Sequence, residues 1–220
     1  MIFTIPDLLT ASELEEIRSI LEGAEFADGK LTAGWHAQLV KDNQQLKSGQ
    51  IQTQLTQKVK EALNRNALFQ TAVRPRMIHS LLFSRYDVGM SYGTHTDNAL
   101  MGSGFWRSDV SFTIFFNPPS DYEGGELVIE SADDEKAYKL QSGAALIYPS
   151  STLHRVDPVT KGTRLVGVGW VQSLIRSESE REILFDLETA RRSMFSQQGK
   201  TVEFDLVSKT IANLLRKWAE

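Results

Sequence analysis

The stretch Val110-Ser111-Phe112-Thr113-Ile114-Phe115-Phe116 decides the fold class. Val110, Phe112, Ile114 and Phe116 recur at every second position, with Ser111, Thr113 and Phe115 between them. Alternate side chains of an extended chain point to opposite faces, so this spacing predicts a β-strand with one wholly apolar face. Read outward over residues 77–171, the same period predicts strands at 77–86, 126–130, 137–140, 144–148 and 164–171. Turn formers such as Asn117-Pro118-Pro119 and Gly124-Gly125 separate them. The run Asp121-Tyr122-Glu123-Gly124-Gly125-Glu126-Leu127 reads as a hairpin connection whose acids are solvated. Short strands at this spacing make a sandwich or barrel, so the class is mainly β with flanking helices.

Helical periodicity brackets this core. Thr10 and Glu13 have capping-box spacing ahead of the stripe Leu14, Ile17, Ile20, Leu21, and a helix over 49–63 carries Ile51, Leu55, Val59 and Leu63 on one face. Past Ile175 a second capping box, Ser177 and Glu180, precedes a buried stripe of Ile183, Leu184, Leu187 and Met194. A last helix carries Leu206, Val207, Ile211, Leu214, Leu215 and Trp218. The organisation expected is a β domain with N-terminal helices at 1–175 and a C-terminal helical extension at 176–220. The last helix is amphipathic enough to suggest a homo-oligomer.

The chain has 220 residues, 24 Lys plus Arg against 28 Asp plus Glu, and no Cys. Thiol catalysis, disulfide scaffolds and Cys-ligated zinc are therefore excluded. The net charge of −4 and the lack of a basic run argue against nucleic acid as partner. No apolar run approaches the ~18 residues of a bilayer span. The N-terminus lacks a basic region and cleavage site, so a cytoplasmic location is expected.

Chemistry concentrates in Arg85-Tyr86-Asp87-Val88-Gly89-Met90-Ser91-Tyr92-Gly93-Thr94-His95-Thr96-Asp97-Asn98. His95 and Asp97 stand two apart, so an extended strand aims both at one ion. Alone, such a pair is more often a surface His beside a solvated Asp. His154, just past the strand at 144–148, supplies a third ligand. Two His and one carboxylate leave coordination positions open, the facial arrangement of non-haem Fe(II) oxygenases. Arg164 lies ten residues further on, on a face shared with Val166, Val168 and Trp170. An inward guanidinium needs an anion and suits the far carboxylate of a dicarboxylate co-substrate, whereas an isolated Arg is more often in a surface ion pair. Tyr86 and Tyr92 lie on the approach to His95, and Trp170 either walls the pocket or packs in the core. His36 and His79 have no partner at a recognisable spacing and read as structural or surface residues.

These residues resemble the iron and 2-oxoglutarate dependent dioxygenases. The runs Lys41-Asp42-Asn43-Gln44-Gln45, Arg85-Tyr86, Tyr92-Gly93-Thr94-His95-Thr96-Asp97, the 121–127 segment and Tyr148-Pro149-Ser150-Ser151-Thr152-Leu153-His154 are similar to the bacterial PKHD-type hydroxylases, relatives of the prolyl and lysyl hydroxylases. The likeness spans nearly the whole chain, including Trp170-Val171-Gln172-Ser173-Leu174-Ile175-Arg176. It implies a double-stranded β-helix, or jelly roll, with His95, Asp97 and His154 on Fe(II) and Arg164 on 2-oxoglutarate. It also implies O₂ as oxidant, succinate and CO₂ as products, and ascorbate as an accessory. Many members of the wider class have Arg-x-Ser where this chain has Arg164-Leu165-Val166, so a second partner for the co-substrate carboxylate is needed, and Tyr86 is the expected one. Two rivals stand beside this reading: a cupin-like metalloenzyme that does not use 2-oxoglutarate, and a non-catalytic metal-binding β-sandwich. The acceptor, peptidyl or small-molecule, has no readable signature. The segment 98–109, with Met101, Phe105 and Trp106, reads as a mobile lid or a disordered surface loop.

Overall fold

The computed structural model describes residues 1–220. Its elements in chain order begin with β1 (Phe3–Ile5), α1 (Ala11–Glu22), β2 (Phe26–Asp28), β3 (Lys41–Asp42) and β4 (Gln44–Leu46). Next come α2 (Gln50–Arg65), α3 (Ala67–Val73), β5 (Pro75–Tyr86), β6 (Ser91–His95), β7 (Leu100–Met101), β8 (Trp106–Arg107) and β9 (Val110–Phe115). The remainder is β10 (Tyr122–Gly124), β11 (Leu127–Glu130), β12 (Glu135–Tyr138), β13 (Ala145–Pro149), β14 (His154–Val156), β15 (Val159–Gly162), β16 (Arg164–Ser173), α4 (Glu178–Gln198) and α5 (Val202–Trp218).

A major sheet runs β1-β13-β9-β16-β5-β4-β2 and a minor sheet β12-β11-β14-β6-β3. Every pairing in both is antiparallel. The sheets face each other: Tyr86, Phe115, Leu146, Tyr148 and Val166 of the major sheet pack with Leu127, Ile129 and Val156 of the minor one. This is the jelly-roll sandwich implied by the resemblance. The other face of the major sheet is covered by α1, α2 and α3, whose Ile17, Leu21, Leu55, Val59, Leu63 and Phe69 meet Leu81, Phe83, Phe112, Ile114, Phe116 and Ile147. A sheet covered on both faces explains why all six residues of β9 are buried. Phe112, Ile114 and Phe116 go to the helices, while Ser111, Thr113 and Phe115 go to the interior between the sheets.

Gly167 and Gly169 of β16 make room for this packing. A Cβ at Gly169 would fall 2.4 Å from Phe112 Cζ, and one at Gly167 would fall 2.8 Å from Phe116 Cζ. The rings occupy the space that side chains on β16 would need. The expected capping box at Thr10 is formed in full, and Ser177 caps α4 by accepting from the Glu180 backbone N–H.

Several expectations are corrected. The 121–127 segment is not a hairpin connection: β10 pairs with β15, whereas β11 pairs with β12 and β14. Gly124 and Gly125, at φ 71° and 69°, let the chain change partner there, and a Cβ on Gly124 would strike the Pro158 carbonyl oxygen at 2.1 Å. The segment 98–109 is neither disordered nor without structure, because β7 and β8 pair within it. The stripe of α4 is rotated: Ile183 is exposed, and Arg181, Leu184 and Glu188 are buried. Arg181 is accommodated because Nη1 donates to the carbonyls of Ile175 and Arg176, and Glu188 because it pairs with Arg191 and Arg192. Ile51 and Leu206 also face solvent, at the first turns of α2 and α5. Ile175, Leu184 and Ile211 form a small core of their own under the two C-terminal helices. No helix is long and apolar enough to cross a membrane.

Candidate metal centre and co-substrate pocket

β6 and β14 are antiparallel neighbours in which His95 and His154 are directly paired, so both imidazoles leave the same face of the minor sheet. β6 ends at His95, and Asp97 sits just beyond it on irregular chain rather than on the expected strand. One ligand atom from each of His95, Asp97 and His154 lies within 4.8 Å of the others, with His154 Nε2 at 3.9 Å from Asp97 Oδ2.

The surroundings orient all three. His95 Nδ1 donates to the Gly93 carbonyl at 2.8 Å and His154 Nδ1 to the Thr152 carbonyl at 2.9 Å. A carbonyl only accepts, so the proton resides on Nδ1 and the Nε2 lone pair is left for an ion. Burial, and then the neighbouring His154, hold the His95 imidazole down to about 4 in the metal-free protein. It is therefore neutral at physiological pH, the form that ligates. Ser111 Oγ donates to Asp97 Oδ2 at 2.6 Å and lies 2.7 Å from Ser150 Oγ. The Tyr92 ring stacks on His95 at 3.6 Å between centres. Two imidazoles and one carboxylate, the histidines buried and the aspartate partly so, each fixed by a hydrogen bond, make a donor set suited to Fe(II).

Arg164 pairs in register with Tyr86 across β16 and β5 and is 1% exposed. Its guanidinium lies 5.0 Å over the Tyr86 ring and 5.6 Å over that of Phe115. Nε and Nη1 have no hydrogen-bond partner, and no carboxylate pairs with the group. A buried guanidinium with unused donors and no counter-ion calls for a bound anion, so the site fits a carboxylate of 2-oxoglutarate. The isolated surface ion pair is excluded by its burial. Burial raises the Tyr86 hydroxyl above its usual range, against the opposing Arg164 charge, and so keeps the phenol protonated as a donor beside the guanidinium.

The metal triad and Arg164 line one cavity of ≈ 380 Å³, also walled by Leu82, Val168 and Trp170. That volume falls in the ~300–1,000 Å³ range of small-molecule sites. Asn98, Leu100, Met101 and Gly102 reach its mouth. His79 is buried against Ser80 and the Arg107 carbonyl, and His36 packs edge-on to Trp35, so neither enters the metal set. Lys41, Asn43 and Gln45 also line the cavity, and no motif read from the residues pointed to them.

Comparison with known proteins agrees with this geometry. The model of the 2OG-Fe(II) oxygenase superfamily matches residues 81–172. A PKHD-type hydroxylase of Gloeothece citriformis is 81% identical over the whole of both chains. One of Picosynechococcus sp. is 63% identical, again over the whole of both. Among solved structures, a Pseudomonas putida prolyl-4-hydroxylase aligns with TM-score 0.53 at 21% identity, over 78% of this chain and 92% of that one. The viral collagen prolyl hydroxylase of Paramecium Bursaria Chlorella virus-1 aligns with TM-score 0.52 at 16% identity, over 78% and 96%. The latter two show the fold, and the full-length relatives show the family: this chain belongs to the PKHD-type hydroxylases of the 2OG-Fe(II) oxygenase superfamily.

Proposed function

We propose that His95, Asp97 and His154 hold the Fe(II) of this dioxygenase, and that Arg164, with Tyr86 beside it, takes the far carboxylate of 2-oxoglutarate. The observation that carries the reading is the Arg164 guanidinium, fully buried in the triad's cavity with unused donors. When bound, iron and 2-oxoglutarate supply an O₂-derived oxidant that hydroxylates the acceptor and leaves succinate and CO₂. The chain's own residues do the rest. The two Nδ1–H bonds fix the imidazole planes, Ser111 fixes the Asp97 oxygen, and Arg164 sets the co-substrate's direction by charge-assisted bonds. Leu82, Val168 and Trp170 exclude water from the reacting centre.

The acceptor is proposed as a peptidyl or small-molecule substrate, which the cavity volume and open mouth accommodate. Ascorbate as accessory reductant and a cytoplasmic setting are part of the same proposal, supported by the likeness to prolyl hydroxylases and by the lack of Cys. Residues 1–175 are the catalytic unit in this reading, and 176–220 an appended helical pair. Exposed Ile183, Phe195, Val202 and Leu206 support self-association through that pair.

Anaerobic addition of Fe(II) and then 2-oxoglutarate to the metal-free protein, followed by visible absorption, tests the assignment. Wild type gives a metal-to-ligand charge-transfer band. Asp97→Ala abolishes the band and turnover. Arg164→Ala raises the 2-oxoglutarate requirement about 10- to 150-fold, the equivalent of ~1.5–3 kcal/mol for a charge-assisted bond. A wild-type requirement in Arg164→Ala removes Arg164 from the co-substrate site.

A further inference from the structure

Residues 41–46 cross from the minor sheet to the major one. Lys41 and Asp42 pair with Tyr92 and Ser91 of β6, and three residues later Gln44 and Gln45 pair with Arg85 and Ser84 of β5. Along this crossing Lys41, Asn43 and Gln45 alternate inward, each about 95% buried and each lining the cavity. Asp42 and Gln44 point away. The chain thus closes one side of the sandwich with three polar side chains in succession.

Lys41 is the odd member of this set. Its Nζ donates to Thr32 Oγ1 at 3.1 Å and lies 5.2 Å from the centre of the Tyr92 ring, the ring that stacks on His95. No carboxylate pairs with it. Thr32 belongs to the exposed 3₁₀ turn Gly29–Thr32 at the mouth, so the ammonium sits between the entrance and the metal ligands. Asn43 lies beside the Tyr86 hydroxyl, at longer than ordinary hydrogen-bond geometry. A Cβ at Gly29 would fall 1.8 Å from Asn43 Oδ1, so glycine at that position leaves the amide its room. A buried ammonium without an ion-pair partner, on a strand face that lines the cavity, is a group held ready for an anion rather than for the fold.

Charge decides which ligand. Fe²⁺, Asp97, Arg164 and the 2-oxoglutarate dianion together are neutral, and both imidazoles are uncharged. Asp97 and Asp28 act on Lys41 from beyond ion-pair distance, and Asp97 is already counted against the iron, so Lys41 brings a positive charge without an ion-pair partner to the loaded cavity. A single carboxylate balances it, whereas a phosphate dianion would leave a net negative charge behind low-dielectric walls.

We propose that Lys41 binds a carboxylate of the acceptor. The proposal deepens the function above and rests on its assignment of Arg164 to the co-substrate. The enzyme then hydroxylates carboxylate-bearing molecules and turns away the corresponding amides. Lys41 is a specificity-determining residue at the entrance, distinct from the groups that hold the iron.

The test uses full-length protein loaded with Zn(II) and saturating 2-oxoglutarate, which does not turn over. Acetate is titrated with acetamide as control, while NMR follows the Lys41 εCH₂ signal assigned by its loss in Lys41→Met. The result expected is a saturable shift with acetate and none with acetamide. Acetate affinity measured by calorimetry falls about tenfold or more in Lys41→Met and is largely kept in Lys41→Arg. Competition by N-acetylalanine or by N-acetylaspartate N-methylamide then tells a chain-end or free acid from an acidic residue within a chain. Equal responses to acetate and acetamide overturn the proposal. So does a 2-oxoglutarate requirement raised as far in Lys41→Met as in Arg164→Ala, which would put Lys41 on the co-substrate. Absence of the charge-transfer band in wild type would instead count against the parent reading, and the acetate titration would still report on Lys41.

Discussion

Ser111 reaches Asp97 Oδ2 at 2.6 Å and Ser150 at 2.7 Å, so the one anionic ligand is held in place from the major sheet while both imidazoles come from the minor one. Removing that hydroxyl leaves Asp97 free to rotate. Ser111→Ala is expected to weaken Fe(II) affinity about 10- to 100-fold, as read by metal titration, with folding intact. An unchanged affinity would mean the bond is incidental. His95 permits a second test at this scale. Its folded value is about 4 in the metal-free chain, against about 6.5 for an unfolded His. Between those values the unfolded state binds more protons, so stability is full above pH 6.5 and falls as the pH drops toward 4. The loss is on the order of 3 kcal/mol at ~1.4 kcal/mol per pKa unit. Urea midpoints of the metal-free protein from pH 7 to 4 measure it, and His95→Gln should flatten the slope over that window.

At the scale of elements, the packing of β16 against β9 is the most exposed to mutation. Gly169→Val places branched carbon where Phe112 Cζ and Leu81 Cδ1 already stand, at 2.4 and 2.9 Å from the first added atom. A loss of ~1–3 kcal/mol from overpacking is expected in chemical denaturation. A neutral result would mean the rings can swing aside. β9 was legible in the sequence because Val110, Phe112 and Ile114 make one face wholly apolar, and β5 and β16 because they are long runs of apolar and strand-forming residues bounded by turn formers. The polar half of the β9 alternation, Ser111 and Thr113, was legible as a strand face but not as part of a metal site, since Asp97 reaches it only through the fold. β3 and β4 are two and three residues long, too short to carry a period, and exist because β6 and β5 supply partners. The α4 face was misread because Arg181 and Glu188 are buried through hydrogen bonds and ion pairs that composition alone does not reveal. His95, Asp97 and His154 stood out because a His-x-Asp pair with a distal His is a chemically specific pattern, and Arg164 because an Arg among alternating apolar residues needs an anion; the fold brings all four to one cavity. Lys41 and Asn43 carry no such pattern, and the lack of an ion-pair partner at Lys41 is a property of the assembled cavity.

At the scale of the molecule, the cavity joins the two sheets and the C-terminal helices stand apart from it. His95 and His154 belong to the minor sheet and Arg164 and Tyr86 to the major one, so in the proposed assignment metal with 2-oxoglutarate would tie together layers otherwise held by the apolar contacts of Phe115, Leu146 and Val166 with Leu127 and Ile129. A ligand that binds only the folded state at 100 times its Kd adds about 2.7 kcal/mol, which for a chain of this size raises the melting temperature by about 5–11 °C. Zn(II) alone should give part of the rise and 2-oxoglutarate the rest, with the second part missing from Arg164→Ala. The protection should also be uneven. Ile175, Leu184 and Ile211 form a core that no ligand contact reaches, so hydrogen exchange should slow in β6, β14 and β16 while α4 and α5 keep their unliganded rates. Equal slowing in the helices would show that the C-terminal pair unfolds as one unit with the sandwich, and that the cavity stabilises the whole chain rather than the two sheets it bridges.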